Sequence, residues 1–170
     1  MVSGLVSEAI EIVESASKRI EEGVLSKSKD LRQDALSLAH SVFDIYLTLH
    51  KFFEKIGKVV SENKSEAVYR LKTRSFIVIS NGELVYIKSK PINLAVSYSS
   101  GEKKVSVKSK RFLLNVFRDK LEASYYNLKV EINIGNPKDY IEKYSELRYV
   151  LNKIQKIISS SIVPVIHSKE

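Results

Sequence analysis

The spacing of apolar and polar positions changes once along the chain, near residue 74, from a helical period to a period of two. Between Val6 and Ile20 the apolar residues Val6, Ala9, Val13, Ala16 and Ile20 recur three and four apart, with Glu and Lys on the opposite face. That spacing predicts an amphipathic helix, ended near Gly23. The longest regular pattern follows, in which Leu31, Ala35, Leu38, Val42, Ile45, Leu49, Phe52, Ile56 and Val59 alternate spacings of four and three. It predicts one continuous helix over 28–60, about 30 residues and on the order of 45 Å long, with Ser28 as its cap. A second row, Ala39, Phe43, Tyr46, Phe53 and Val60, runs beside the first. A two-stranded seam does not need so wide a face, so more than one helix must pack on it. A short helical turn over 65–71 is expected before the period changes.

From Arg74 the alternation is that of strands. Phe76-Ile77-Val78-Ile79 and Leu84-Val85-Tyr86-Ile87 flank Asn81-Gly82, the dipeptide that best supports a two-residue type I′ hairpin because both central residues need positive φ. This register sets Ile79 opposite Leu84 and Ile77 opposite Tyr86. Both faces of the hairpin are largely apolar, which predicts a central position or cover on both sides. Pro91 opens a second pair, in which Leu94, Val96 and Tyr98 precede a Ser-Ser-Gly-Glu turn and then Val105 and Val107. Leu114, Phe117, Leu121, Tyr125 and Leu128 fall at helical spacing and predict an inserted helix. Val130, Ile132 and Ile134 alternate as a fifth strand. Asn136-Pro137 is a helix start, and Tyr140, Tyr144, Leu147, Leu151, Ile154 and Ile158 carry the final helix. Pro164 ends it, leaving the apolar run from Ile162 to Ile166 as a short strand or tail.

These elements predict an α+β protein of order ααββββαβα. Two N-terminal helices and one C-terminal helix form a bundle, with a mostly antiparallel sheet of about five strands at one end. The expected organisation is a helical region over 1–72, a basic β-rich region with one inserted helix over 73–135, a helix over 136–160 that packs back on the bundle, and a tail over 161–170. A chain of 170 residues buries about two-thirds of its unfolded surface and needs no metal or disulfide to fold.

Charge adds a location to this picture. Of the net charge of +8, residues 1–22 contribute two basic and five acidic side chains, a balance of −3, whereas residues 74–111 contribute eight basic and two acidic, a balance of +6. One basic segment on an otherwise balanced protein is a local footprint for an anionic partner. Lys103, Lys104, Lys108, Lys110 and Arg111, with Lys88 and Lys90 nearby, are the candidate nucleic-acid-binding residues. Cations at alternate strand positions follow a phosphate backbone by displacing its counterions, without reading bases. Tyr86 and Tyr98 are candidate stacking residues, though their alternation points them towards a core. An ordinary solvated strand whose lysines block edge aggregation is the competing reading.

Catalytic chemistry finds little support. The chain has no cysteine, which excludes disulfides, thiolate zinc sites and cysteine nucleophiles. His40 and His50 lie ten residues apart, about 280° round one helix, and do not converge on a metal; His167 is in the tail. The six glycines are scattered, with no phosphate-binding loop, so no metal, cofactor or catalytic residue is assigned. Two long helices with Arg32 and His40 on the second resemble HEPN-type ribonucleases over about 40 residues. Seven residues separate that pair, a wider spacing than the family's motif, and the β-rich region has no place in it, so the family's catalytic roles are not carried over.

No stretch approaches ~20 apolar residues, and the first helix alternates apolar residues with Glu8, Glu11 and Glu14, unlike a secretory signal. A cytoplasmic location is expected, and abundant Lys with only two Gln leans towards a thermophilic source. The leading functional expectation is a non-enzymatic small subunit or adaptor of a nucleic-acid-handling assembly, an analogy of architecture with the helical-plus-β subunits of nucleoprotein machines. The alternative is an oligomerisation or protein-interaction module, a homodimer or hetero-complex formed through Ala39, Phe43, Tyr46, His50 and Phe53 on the wide helix face.

Overall fold

The period of two that begins at Arg74 runs on to Asn133 and, with one short strand before it, builds one antiparallel meander. The computed structural model describes residues 2–26, 33–62, 68–71, 75–80, 82–88, 93–136 and 142–161. Two helices come first, α1 (Val2–Ser26) and α2 (Gln33–Glu62). Eight strands follow: β1 (Val68–Leu71), β2 (Ser75–Ser80), β3 (Glu83–Lys88), β4 (Leu94–Ser99), β5 (Lys104–Lys108), β6 (Phe112–Val116), β7 (Lys120–Tyr125) and β8 (Leu128–Asn133). A last helix, α3 (Tyr144–Ser161), closes the order. Each strand pairs with its neighbours in sequence through seven antiparallel ladders. Ile77 lies opposite Tyr86 and Ile79 opposite Leu84, the register that the Asn81-Gly82 turn requires, with Gly82 at φ 76°.

One face of this sheet is buried from β2 to β8. Ile77, Tyr86, Val96, Val107, Leu114, Ala123 and Val130 form one cross-strand row. Leu84, Tyr98, Val105, Val116, Leu121 and Ile132 form the next, and all of these residues are buried. Helix α1 lies over β3 to β6 and α3 over β7 and β8, while α2 packs against both helices. The apolar stripes of the three helices and the two sheet rows join in a single core. At its centre the Tyr86 ring meets Phe52 edge-on, with centroids 5.1 Å apart. Gly57 lets α1 and α2 approach closely, since a Cβ there would stand 3.2 Å from Val6 Cγ1.

The α+β class holds, but the sheet has eight strands where about five were expected, and the order is ααββββββββα. The helix expected over 114–128 is instead β6, β7 and the start of β8. Leu114, Leu121 and Tyr125 are spaced as on a helix only because a tight turn over 117–120 resets the alternation, with the Phe117 N–H donating to the Lys120 carbonyl at 3.0 Å. Leu114 and Val116 before that turn, and Leu121 and Ala123 after it, all face the core, which is strand behaviour. The turn expected over 65–71 contains β1. The helices lie on a face of the sheet rather than forming a bundle capped by it. The hairpin β2–β3 sits beside the edge strand β1, not in the centre, and no described helix covers its second face. The cap Ser28, the Asn136-Pro137 helix start with Tyr140, and the tail from Ile162 lie wholly or partly outside the described residues. Among the described residues no helix is long and apolar enough to cross a membrane.

Polar contacts fix α1 against the sheet. The Tyr98 hydroxyl donates to Glu8 Oε1 at 3.1 Å, and one turn later the Arg118 guanidinium grips both oxygens of Glu11. At the edge strand β8, the Lys143 ammonium donates to the Glu131 carbonyl, occupying an acceptor that another chain's strand would otherwise seek. Burial, and then the Glu8 carboxylate, push the Tyr98 phenol from 10.0 up to about 12. The folded state therefore holds this proton more tightly than the unfolded chain. The resulting stability is complete below pH 10 and is lost as pH rises towards about 12. Tyr98→Phe is expected to cost about 1 kcal/mol at neutral pH, the usual value of one hydrogen bond, and to flatten the alkaline fall in stability. Urea denaturation of both proteins across this pH range checks the point, and parallel curves would contradict it.

Candidate nucleic-acid interface

The alternation that sends Val105 and Val107 into the core sends Lys104, Ser106 and Lys108 to the other face of β5, which no described helix covers. Neighbouring strands give that face mostly small or polar side chains. Ala95, Lys108, Leu113, Ser124 and Lys129 form one row, and Ser97, Ser106, Asn115, Glu122 and Glu131 the next. The second row is tied together, because Ser106 Oγ donates to Asn115 Oδ1 at 2.6 Å and Asn115 Nδ2 donates to Glu122 Oε1 at 3.2 Å. Glu122 also pairs with Lys120 at 3.6 Å.

The seven predicted cations do not form one surface. Lys103 and Lys104 stand at the start of β5, beside the turn from β4, and Lys104 is neutralised by Glu102 at 2.7 Å. Lys108 ends β5, on the order of 14 Å away by strand rise. Lys110 and Arg111 are the two central residues of the next turn. That turn is closed by the Ser109 N–H on the Phe112 carbonyl at 3.0 Å and by Ser109 Oγ, which accepts from the Arg111 and Phe112 N–H groups. A hydroxyl holding two backbone donors is a local lock, so both cations stay exposed at the end of the sheet. Lys108, Lys110 and Arg111 make no ion pair among the described residues. Lys88 lies at this same end but on the helix-covered face, opposite Ser75, where it is 7% exposed. Burial lowers its pKa. The strand parity that buries Leu84 and Tyr86 buries Lys88 with them. Lys90 lies outside the described residues.

The helix-face candidates also separate. Tyr46 and Phe53 are buried within the chain's own core. Phe43 is half-buried, and the side chain of Ala39 lies outside the described residues. His50 joins α1 to α2, with Nε2 2.9 Å from Glu14 and Nδ1 3.3 Å from Glu54. Tyr86 and Tyr98, the candidate stacking residues, are core residues.

Aromatic rings do gather at the Lys110–Arg111 end, but they are different ones. The Tyr126 N–H donates to the Arg111 carbonyl at 2.8 Å, continuing the β6–β7 ladder by one step. Tyr125 is half-buried and meets two exposed rings edge-on, Tyr126 at 4.7 Å and Tyr149 of α3 at 6.1 Å between centroids. Lys153 stands over Tyr149, its ammonium 5.6 Å from the ring centroid. The signal for this cluster is the two-residue turn Tyr126-Asn127 between alternating segments, which the accidental helical spacing of 114–128 hides. No histidine, carboxylate or other metal-binding cluster accompanies it among the described residues. No family model, curated protein or solved structure matches the chain.

Two of the lysines at this end, Lys88 and Lys108, should respond differently to charge reversal. Lys88→Glu places a carboxylate in a buried site and is expected to cost more than about 2 kcal/mol, whereas Lys108→Glu stays within about 0.5 kcal/mol of the parent. Thermal and urea melts of the two variants test the assignment of faces, and equal losses would contradict it.

Proposed function

We propose that the protein is a non-enzymatic nucleic-acid-binding subunit or adaptor that grips phosphate backbone through the end of β5 and the turn that follows it. The observation that carries this reading is the convergence of Lys108, Lys110 and Arg111 at one end of the sheet with no acidic partner among the described residues. At the other end, Lys104, Arg118 and Lys120 already have carboxylates beside them. Unpaired surface cations on a turn locked by Ser109 release phosphate counterions on binding and lose no ion pair in doing so. Such contacts position a partner without reading its sequence.

A protein-binding role is the second reading, and one observation favours it. The face opposite the helices carries Phe76, Val78, Val85 and Ile87 side by side on β2 and β3, all half-buried, and an open groove of about 370 Å³ runs from Val85, Ile87 and Ala95 to Lys108 and Lys110. On this reading the sheet, rather than the helices, receives the partner.

Fluorescence anisotropy of a labelled oligonucleotide across a salt series separates the two. Binding with a dissociation constant between about 10⁻⁶ and 10⁻⁴ M at physiological salt, tightening steeply as salt falls and varying little with sequence, is expected. Replacing Lys108, Lys110 and Arg111 together by Gln should lower the slope of log K against log salt by about 2 for single strands, three contacts at about 0.7 each. An unchanged slope would place the binding surface elsewhere. No binding by the parent protein at low salt would leave the protein-binding reading in front.

A further inference from the structure

The charge cluster accounts for backbone contact, but it leaves the neighbouring tyrosines without a role. Tyr126 is 63% exposed and Tyr149 50% exposed, the two most exposed large apolar side chains among the described residues. Solvent exposure on this scale is ordinary for one tyrosine, but here two come together with a third. They arrive from different elements, the β7–β8 turn and α3, and both meet the half-buried Tyr125 at steep angles of 81° and 74°. Tyr125 thus braces two exposed rings at the point where Arg111 and Tyr126 share a backbone hydrogen bond.

The backbone at Tyr126 adds a second observation. Its φ is 54°, in the left-handed region that favours glycine and asparagine and that a bulky side chain enters at a cost. A two-residue hairpin turn asks for Asn or Gly there, and Asn127 stands one position later. An exposed tyrosine in a strained position at a turn tip contributes little to the core, so its ring points to a use outside the fold.

We infer that this end of the sheet binds single-stranded nucleic acid, with Tyr126 and Tyr149 stacking on bases while Lys110, Arg111 and Lys153 hold the phosphates. The inference rests on the backbone-binding reading and narrows it. Aromatic faces placed beside cations suit unpaired bases, because every base offers a π-face and stacking tolerates any sequence. A duplex keeps its bases stacked inside and offers these rings nothing but its ends. An acidic protein segment would satisfy the cations and leave the rings idle.

The test is anisotropy of a labelled oligothymidylate against the intact protein, with a duplex of matched length, inorganic polyphosphate and polyglutamate as competitors. Tyr126→Asn keeps the left-handed turn, Tyr149→Ala keeps the helix, and Phe at either position keeps the ring. Each ring removal is expected to weaken single-strand binding by about 5- to 150-fold, and each Phe variant to bind like the parent. The salt slope and the competition by polyphosphate should not change, since neither depends on stacking. Loss of affinity in the Phe variants would point to the hydroxyls and overturn stacking. If the ring removals bind oligothymidylate like the parent while the Lys108, Lys110 and Arg111 replacement does not, stacking is wrong and backbone binding stands. Duplex competing as well as single strand, or polyglutamate competing in a tyrosine-dependent way, would also overturn the inference. Absence of any nucleic-acid binding by the parent protein would overturn both readings.

Discussion

Two rows of apolar side chains, one crossing seven strands from Ile77 to Val130 and one crossing six from Leu84 to Ile132, must leave water, and the rest of the structure follows from how they do so. An open antiparallel meander has no second sheet to fold upon, so cover has to come from helices. α1 and α3 divide the sheet between them, and α2 fills against both. Burying side chains such as Leu49, Phe52 and Tyr86 contributes roughly 1.5–3 kcal/mol each. This explains why part of the wide face of α2 is used inside the chain: Tyr46 and Phe53, which by spacing alone look like surplus apolar surface, are buried as part of one core.

Committing one sheet face to the helices leaves the other to solvent, and strand parity then sorts every side chain between them. Parity sends Lys104 and Lys108 outwards and Lys88 inwards, although all three read as one basic segment in the sequence. It also puts small residues, Ala95, Ser97, Ser106 and Ser124, on the uncovered face. The ends of the sheet differ for a separate reason, which is where the acids fall. Glu102, Glu122 and Glu11 sit beside Lys104, Lys120 and Arg118, and none of them reaches the turn that presents Lys110 and Arg111.

The sequence shows clearly what is periodic over a long run and poorly what depends on where a turn resets the phase. The α2 pattern, the Asn81-Gly82 hairpin with its register, and the β4–β5 pair follow from spacing and turn chemistry alone. Strands β6 and β7 do not, because Leu114, Phe117, Leu121 and Tyr125 mimic a helix across a turn with no glycine or proline to announce it. The same error conceals the aromatic cluster, since Tyr125 and Tyr126 are consecutive residues whose rings meet only because a two-residue turn follows β7. Of the candidate site, the cations of the β5–β6 turn are legible as charge. Their separation from Lys103, Lys104 and Lys88 requires the fold, and the contribution of Tyr149 requires knowing where α3 crosses β7.

On the proposed function, the turn end of the sheet, where Arg111 meets Tyr126, is the surface that meets nucleic acid. Photocrosslinking of the intact protein to a single strand carrying 5-iodouracil, followed by mass spectrometry of the crosslinked peptides, reads this contact directly, because the photoexcited base couples most efficiently to an aromatic ring stacked on it. The account predicts crosslinks at Tyr126 or Tyr149. Crosslinks confined to Phe76 on the uncovered face, to Phe43 on the helix side, or to no aromatic residue at all would contradict it.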